Sequence, residues 1–79
     1  MNTILQQLTT LLVERFGLTN NEVNANSTFA ELDLDSLALV EIALAAEKEF
    51  HVPIREDEVS PYDTVRTMVE LIAAKKEAA

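Results

Sequence analysis

The stretch SLALVEIALAAEKEF, residues 36–50, decides the fold. Each residue of an ideal helix turns the chain by about 100°, so with Ser36 at zero, Leu39, Ile42, Ala43, Ala46 and Phe50 fall between about 240° and 340°. That contiguous apolar face suits packing in a small core. Leu37, Val40 and Leu44 fall elsewhere, between about 40° and 100°, flanked by Glu41 and Glu47. A helix in a small bundle needs one buried face, not two. The second stripe is therefore a candidate docking surface, an apolar strip edged by acids. The plainer alternative is that Leu37 or Val40 packs against a neighbouring loop.

Working outward, the chain repeats this helical period on both sides. Ile4, Leu5, Leu8, Leu11, Leu12 and Phe16 follow the i, i+3/i+4, i+7 pattern, with Gly17 as a C-terminal stop. Val65, Met68, Val69 and Ile72 repeat it near the end, with Asp63 or Thr64 as N-cap and Lys75 and Lys76 at the favourable C-terminus. A short acidic turn at Glu56–Val59, ended by Pro61, is expected as a fourth helical piece. No useful stretch alternates with period two. The fold class is all-α: a small three- to four-helix bundle with a long ordered loop between the first and second helices. The whole of residues 1–79 is expected to form one domain, frayed at 77–79.

That loop, Leu18 to Asp35, exceeds the ~12–15 residues beyond which connections in compact domains become uncommon. It is rich in Asn, Thr and Ser, yet Leu18, Val23, Phe29, Leu32 and Leu34 are spaced along it as anchors. An ordered loop delivering the chain to a helix start suggests a functional arrangement.

Composition narrows the function. Fourteen Asp and Glu against six Lys and Arg give a net charge of −8 and a pI near 4.4. Nucleic acid and anionic membranes need Lys and Arg to meet phosphate, so neither is an expected partner. Basic patches on other proteins are. The chain has no cysteine, one histidine and one glycine, so disulfides, a metal site and a Gly-rich phosphate loop are not expected. The start carries no long apolar h-region and no stretch approaches the ~20 residues of a membrane span, which predicts a cytoplasmic protein; a monomer is expected. No acid–base–nucleophile constellation can be assembled, so an enzyme is the weakest reading.

Glu31-Leu32-Asp33-Leu34-Asp35-Ser36-Leu37 joins the loop to the middle helix. Taken alone, Ser36 is an N-cap worth roughly 1 kcal/mol. A capping box would want Glu or Gln at Leu39. An EF-hand loop starting at Asp33 fails, because Leu37 and Ala38 stand where a ligand and a glycine are required.

The combination of a small acidic helical domain, an anchored loop, D-S-L at a helix start and a two-striped helix resembles the acyl carrier proteins. The resemblance is carried by Phe29 to Leu37, Val40-Glu41, Glu47-Lys48-Glu49-Phe50, Pro53-Ile54 and Thr64-Val65, and it spans nearly the whole chain. It implies that Ser36, flanked by Asp35 and Leu37, is the attachment point of a 4′-phosphopantetheine arm taken from coenzyme A. The arm's terminal thiol would then carry acyl groups as thioesters. The implied partners are a phosphopantetheinyl transferase, an acyl-loading ligase or acyltransferase, and ketosynthase or condensation-type enzymes with basic docking patches. Leu37, Val40, Glu41, Leu44 and Glu47 would form the docking strip. A phosphodiester at a helix N-terminus would meet free N–H groups and a favourable dipole.

Some positions depart from the family pattern. Asp33 stands where glycine is usual, though Asp tolerates left-handed backbone better than most residues. Ala38 replaces a frequent acid, and Lys48 interrupts the usual acidic run. These departures favour a discrete carrier of a specialised polyketide or lipopeptide pathway over one of housekeeping fatty-acid synthesis. Peptidyl carriers usually show G-G-x-S, which is absent. The reading from a different class is a small acidic interaction domain without cofactor, with Ser36 as an ordinary cap.

The remaining residues have plainer expectations. His51 should face solvent at the end of the middle helix. Arg15, Arg55 and Arg66 should pair locally or sit in water, and Tyr62, beside Pro61, should be a core-edge aromatic. Glu47, Glu49, Glu56, Asp57 and Glu58 should repel one another, so that salt or divalent cations stabilise the fold.

Overall fold

A computed structural model describes residues 2–55 and 57–78. Helix α1 spans Asn2–Phe16, a single 3₁₀ turn spans Ala30–Leu32, α2 spans Ser36–Phe50 and α3 spans Val65–Ala78. The described residues contain no strand, only an isolated antiparallel bridge between Thr28 and Thr64. The all-α expectation and the long loop both stand.

Each helix forms where its apolar spacing requires one. Leu8, Leu11 and Leu12 of α1 are buried, and Ile4, Leu5 and Phe16 pack against the core from its edge. Gly17 ends α1 at φ +72°, where its lack of a Cβ avoids strain, and its N–H donates to the Val13 carbonyl at 3.1 Å. In α2 the expected face, Leu39, Ile42, Ala43, Ala46 and Phe50, is buried, and Ala45 joins it. Ala45 lies at about 180° on the helical wheel, beyond the expected sector. It borders a groove between α1 and α2 together with Leu5 and Leu11. Val65, Met68, Val69 and Ile72 complete the core from α3.

The loop is strapped down as its anchors require. Phe29 is fully buried, Leu32 and Leu34 are buried, and Leu18 and Val23 pack at the core margin. Its middle pairs with the entry to α3. The Phe29 and Ala30 N–H groups donate to the carbonyls of Asp63 (3.1 Å) and Pro61 (2.8 Å), while Val65 and Arg66 donate to those of Ser27 (3.0 Å) and Ala25 (2.8 Å). Two otherwise unpaired donors of the first turn of α3 are thereby satisfied. Thr64 is the cap, with its Oγ1 accepting from the Thr67 N–H at 3.2 Å. Asp63 instead accepts from the Ser60 N–H at 2.9 Å.

The far ends of α2 and α3 are tied together. His51 is exposed and left-handed at φ 59°, and its N–H returns to the Glu47 carbonyl. Lys75 Nζ lies 3.0 Å from Glu58 Oε2, and Lys76 Nζ sits 6.0 Å from the centre of the Phe50 ring. Helix α3 runs through Ala78, two residues into the stretch expected to fray; Ala79 lies outside the described residues.

Two expectations need correction. No fourth helix forms at Glu56–Val59: Asp57 to Val59 are turn and bend, and Glu56 lies outside the described residues. The Glu58 carboxylate accepts the Arg55 N–H at 2.8 Å and closes a single turn. Pro61 follows too soon to repay helix nucleation. Tyr62 is not a core-edge residue, being 83% exposed, because the turn before α3 points its side chain outward.

Candidate functional site

The chain approaches Ser36 through a series of locally determined turns. Thr28 and Glu31 cap one another, with the Thr28 N–H donating to Glu31 Oε1 (2.7 Å) and the Glu31 N–H to Thr28 Oγ1 (3.1 Å). This reciprocal pair is a capping box, and it opens the 3₁₀ turn. Asp33 then adopts the left-handed conformation, φ 61° and ψ 30°, with its N–H on the Ala30 carbonyl. The side-chain tolerance expected of Asp33 is thus used. Leu34 buries itself, its N–H on the Phe29 carbonyl at 2.9 Å, and fixes where the next helix begins.

The cap of α2 is Asp35, not Ser36. Asp35 is extended, and its Oδ1 accepts the Ala38 N–H at 2.9 Å. The Leu39 N–H bonds to the Asp35 carbonyl at 3.0 Å. Ser36 is therefore the first helical residue, exposed, with its hydroxyl not consumed by capping. The first four N–H groups of a helix lack intrahelical partners. With Ala38 held by Asp35, the donors of Ser36 and Leu37 remain available to an anion among the described residues.

Ser36 borders a shallow groove of about 390 Å³. Ala30, Asp33, Leu34, Asp35, Pro61 and Tyr62 line it with the serine. The proposed docking strip runs along α2 from Ser36. Leu37 is 71% and Leu44 56% exposed, Val40 is half-buried and Glu41 exposed. Leu37 and Leu44 are thus left open along the strip. Glu47 differs from Glu41: its Oε1 accepts the Ile54 N–H at 2.9 Å in a partly buried position, so one of its oxygens is occupied within the fold.

Some charges elsewhere are paired locally. Arg55 pairs with Asp57 at 3.2 Å, and Arg66 Nε donates to Asn26 Oδ1 at 3.3 Å. The bond from the Arg55 N–H, aided by Lys75, holds the Glu58 carboxyl below its ordinary range. Of the acids expected to repel one another, Glu47, Asp57 and Glu58 have partners of their own. Among the described residues no group of carboxylates and imidazoles is placed to hold a metal ion.

Among the described residues no histidine lines the Ser36 groove. His51 follows the opposite end of α2, and fifteen residues at 1.5 Å each put it roughly 20 Å away. Residues 6–72 match the family model of the phosphopantetheine attachment site, and the chain belongs to that family. Such a domain is the site of covalent 4′-phosphopantetheine attachment, is itself non-catalytic, and interacts with modifying and biosynthetic enzymes. No helix of the described residues is long and apolar enough to cross a membrane.

The residues at the head of α2 fit that group. An exposed hydroxyl with two adjacent backbone donors suits a phosphodiester. The uncharged remainder of the arm has Pro61 and Tyr62 in the same groove. Of the predicted site residues, Asp35, Ser36 and Leu37 are contiguous at the helix head, while Val40, Glu41, Leu44 and Glu47 extend away along one side. Sequence reasoning missed Tyr62, whose position beside the serine is set by pairing between the loop and the entry to α3.

Proposed function

We propose that Ser36 carries the 4′-phosphopantetheine arm and that the protein shuttles acyl intermediates as thioesters among partner enzymes. The observation that carries this reading is Ser36 at the first position of α2, with Asp35 rather than Ser36 serving as cap. The serine hydroxyl stays available while the helix start remains rigid. Asp35 holds the helix head beside it, and Leu37 begins the strip.

When bound, the arm supplies the thiol that forms the acyl thioester; the cysteine-free chain has none of its own. Leu37, Val40 and Leu44 would supply the apolar contact with partner enzymes, and Glu41 with the free oxygen of Glu47 the steering towards their basic patches. The partners on this reading are the phosphopantetheinyl transferase, an acyl-loading ligase or acyltransferase, and ketosynthase or condensation-type enzymes. Asp33, Ala38 and Lys48 support a specialised polyketide or lipopeptide pathway over fatty-acid synthesis.

The test is direct. Incubation with coenzyme A and a broad-specificity phosphopantetheinyl transferase adds the mass of one arm to the wild type and none to Ser36→Ala. An unmodified wild type, or equal modification of both, sinks the proposal. The intact mass of protein isolated from its own cells then identifies the cargo.

A further inference from the structure

Tyr62 is the most exposed large apolar side chain of the described residues, yet it is not on a loose tip. Its turn is closed by the Asp63 N–H on the Ser60 carbonyl at 3.0 Å, the Ser60 N–H on Asp63 Oδ2 at 2.9 Å and the Tyr62 N–H on Ser60 Oγ at 3.2 Å. Pro61 is held in turn by the Ala30 N–H at 2.8 Å. An aromatic 83% open to water on a rigid support beside the Ser36 groove is preorganised for contact. Exposure of this kind carries no benefit for the core.

The lining of the groove is mixed: Asp33 and Asp35 are acidic, whereas Pro61 and Tyr62 present apolar ring surface. An arm joined to Ser36 begins with a phosphodiester anion, which the two carboxylates repel over distances within the Debye length of ~8–10 Å. One oxygen and one methylene beyond the phosphorus comes the arm's gem-dimethyl group, uncharged and apolar. The uncharged lining that suits it is that of Pro61 and Tyr62.

We propose that Tyr62 and Pro61 form a resting subsite for the gem-dimethyl and first amide portion of the chain's own arm, with the methyl groups lying against one face of the Tyr62 ring. This rests on Ser36 being the attachment residue. The subsite sets the direction in which the arm leaves the serine, towards the α3 entry. It is a positioning role, separate from the α2 strip.

The chain contains one tyrosine and no tryptophan, so its tyrosine emission reports on Tyr62 alone. After loading with coenzyme A and a transferase, mass analysis establishes the arm on Ser36. Acrylamide quenching of tyrosine emission then falls about twofold from apo to holo protein, because one of two ring faces is covered. The gem-dimethyl proton resonances of the holo protein lie upfield of those of free pantetheine. They return to the free position in holo Tyr62→Ala and stay displaced in holo Tyr62→Trp. Circular dichroism verifies that Tyr62→Ala remains folded. Equal quenching of apo and holo protein, or methyl shifts that persist in Tyr62→Ala, overturns the subsite while leaving Ser36 as the attachment residue. A wild type that gains no mass overturns Ser36 itself, and the subsite with it.

Discussion

The assignment of the α2 cap to Asp35 is open to a sharp test, because two good capping residues stand side by side. Asp35→Ala removes the carboxylate that takes the Ala38 N–H at 2.9 Å. Loss of an N-cap costs about 0.5–2 kcal/mol, typically ~1. Removing a negative charge from a helix N-terminus costs a further ~0.3–1 kcal/mol that partly overlaps with it. The expected loss is therefore about 1–1.5 kcal/mol. For a domain of this size each kcal/mol moves the melting temperature by roughly 4–8 °C, so Asp35→Ala should melt about 5–10 °C below wild type. Asp35→Asn keeps the acceptor and should recover most of that loss. Ser36→Ala removes no cap, and as a surface change should stay within about ±0.5 kcal/mol. Thermal and urea unfolding of apo protein, followed by far-UV circular dichroism at neutral pH and low salt, give all three numbers. A Ser36→Ala loss equal to or larger than that of Asp35→Ala would refute the cap assignment and, with it, the argument that the serine hydroxyl is kept free of structural work.

Further outcomes follow from other residues. Asp33 sits at φ 61°; Asp33→Gly relieves the left-handed penalty but gains ~0.4–1 kcal/mol of unfolded-state entropy, so urea unfolding should show a net gain of about 0–1 kcal/mol. Asp33→Val, β-branched at positive φ, should lose more than about 1 kcal/mol by the same measure. Glu47→Ala removes the acceptor of the Ile54 N–H and should cost about 1–3 kcal/mol, whereas Glu41→Lys should leave the melting temperature unchanged and slow transferase modification at low salt. A drop in stability for Glu41→Lys comparable to that of Glu47→Ala would count against this division of labour. The Glu58 carboxyl is held below its ordinary range first by the Arg55 N–H and then by Lys75. Its contribution is therefore complete above the unfolded carboxylate pKa of ~4.3 and lost as pH falls through the lowered folded value. Glu58→Gln should flatten the acid limb of a stability–pH curve below about pH 5, and an unaltered limb would argue that this carboxylate is not differentially stabilised.

Much of this could be read from residue spacing. The three helices follow directly from apolar period, and the exposure of Leu37 and Leu44 on α2 follows from there being more apolar positions than one buried face requires. The loop anchors Phe29, Leu32 and Leu34 were visible as isolated hydrophobes in a polar run. Other features depended on local competition that spacing does not resolve. Asp35 and Ser36 are comparable caps, and the choice between them turned on how Leu34 buries itself one residue earlier. The 3₁₀ turn had a signal, Thr28-x-x-Glu31, in the form of a capping box. Ala45 is buried because α1 widens the covered sector of α2. Tyr62 was misplaced because its direction depends on the pairing of Ala30 with Pro61, contacts between segments far apart in sequence. The turn at Asp57–Val59 shows helical composition overruled by one side-chain bond and a nearby proline.

That same pairing makes the serine's setting a property of the whole chain. The bonds from residues 25–30 to residues 61–66 close only once the entry to α3 is present. A peptide containing the loop and α2 alone would keep every residue of the D-S-L signature and lose the groove and the partner turn that holds Tyr62 beside it. A modifying enzyme that recognises this shape, rather than the tripeptide, would discriminate against unfinished or unfolded chains without needing any contact with α3 itself.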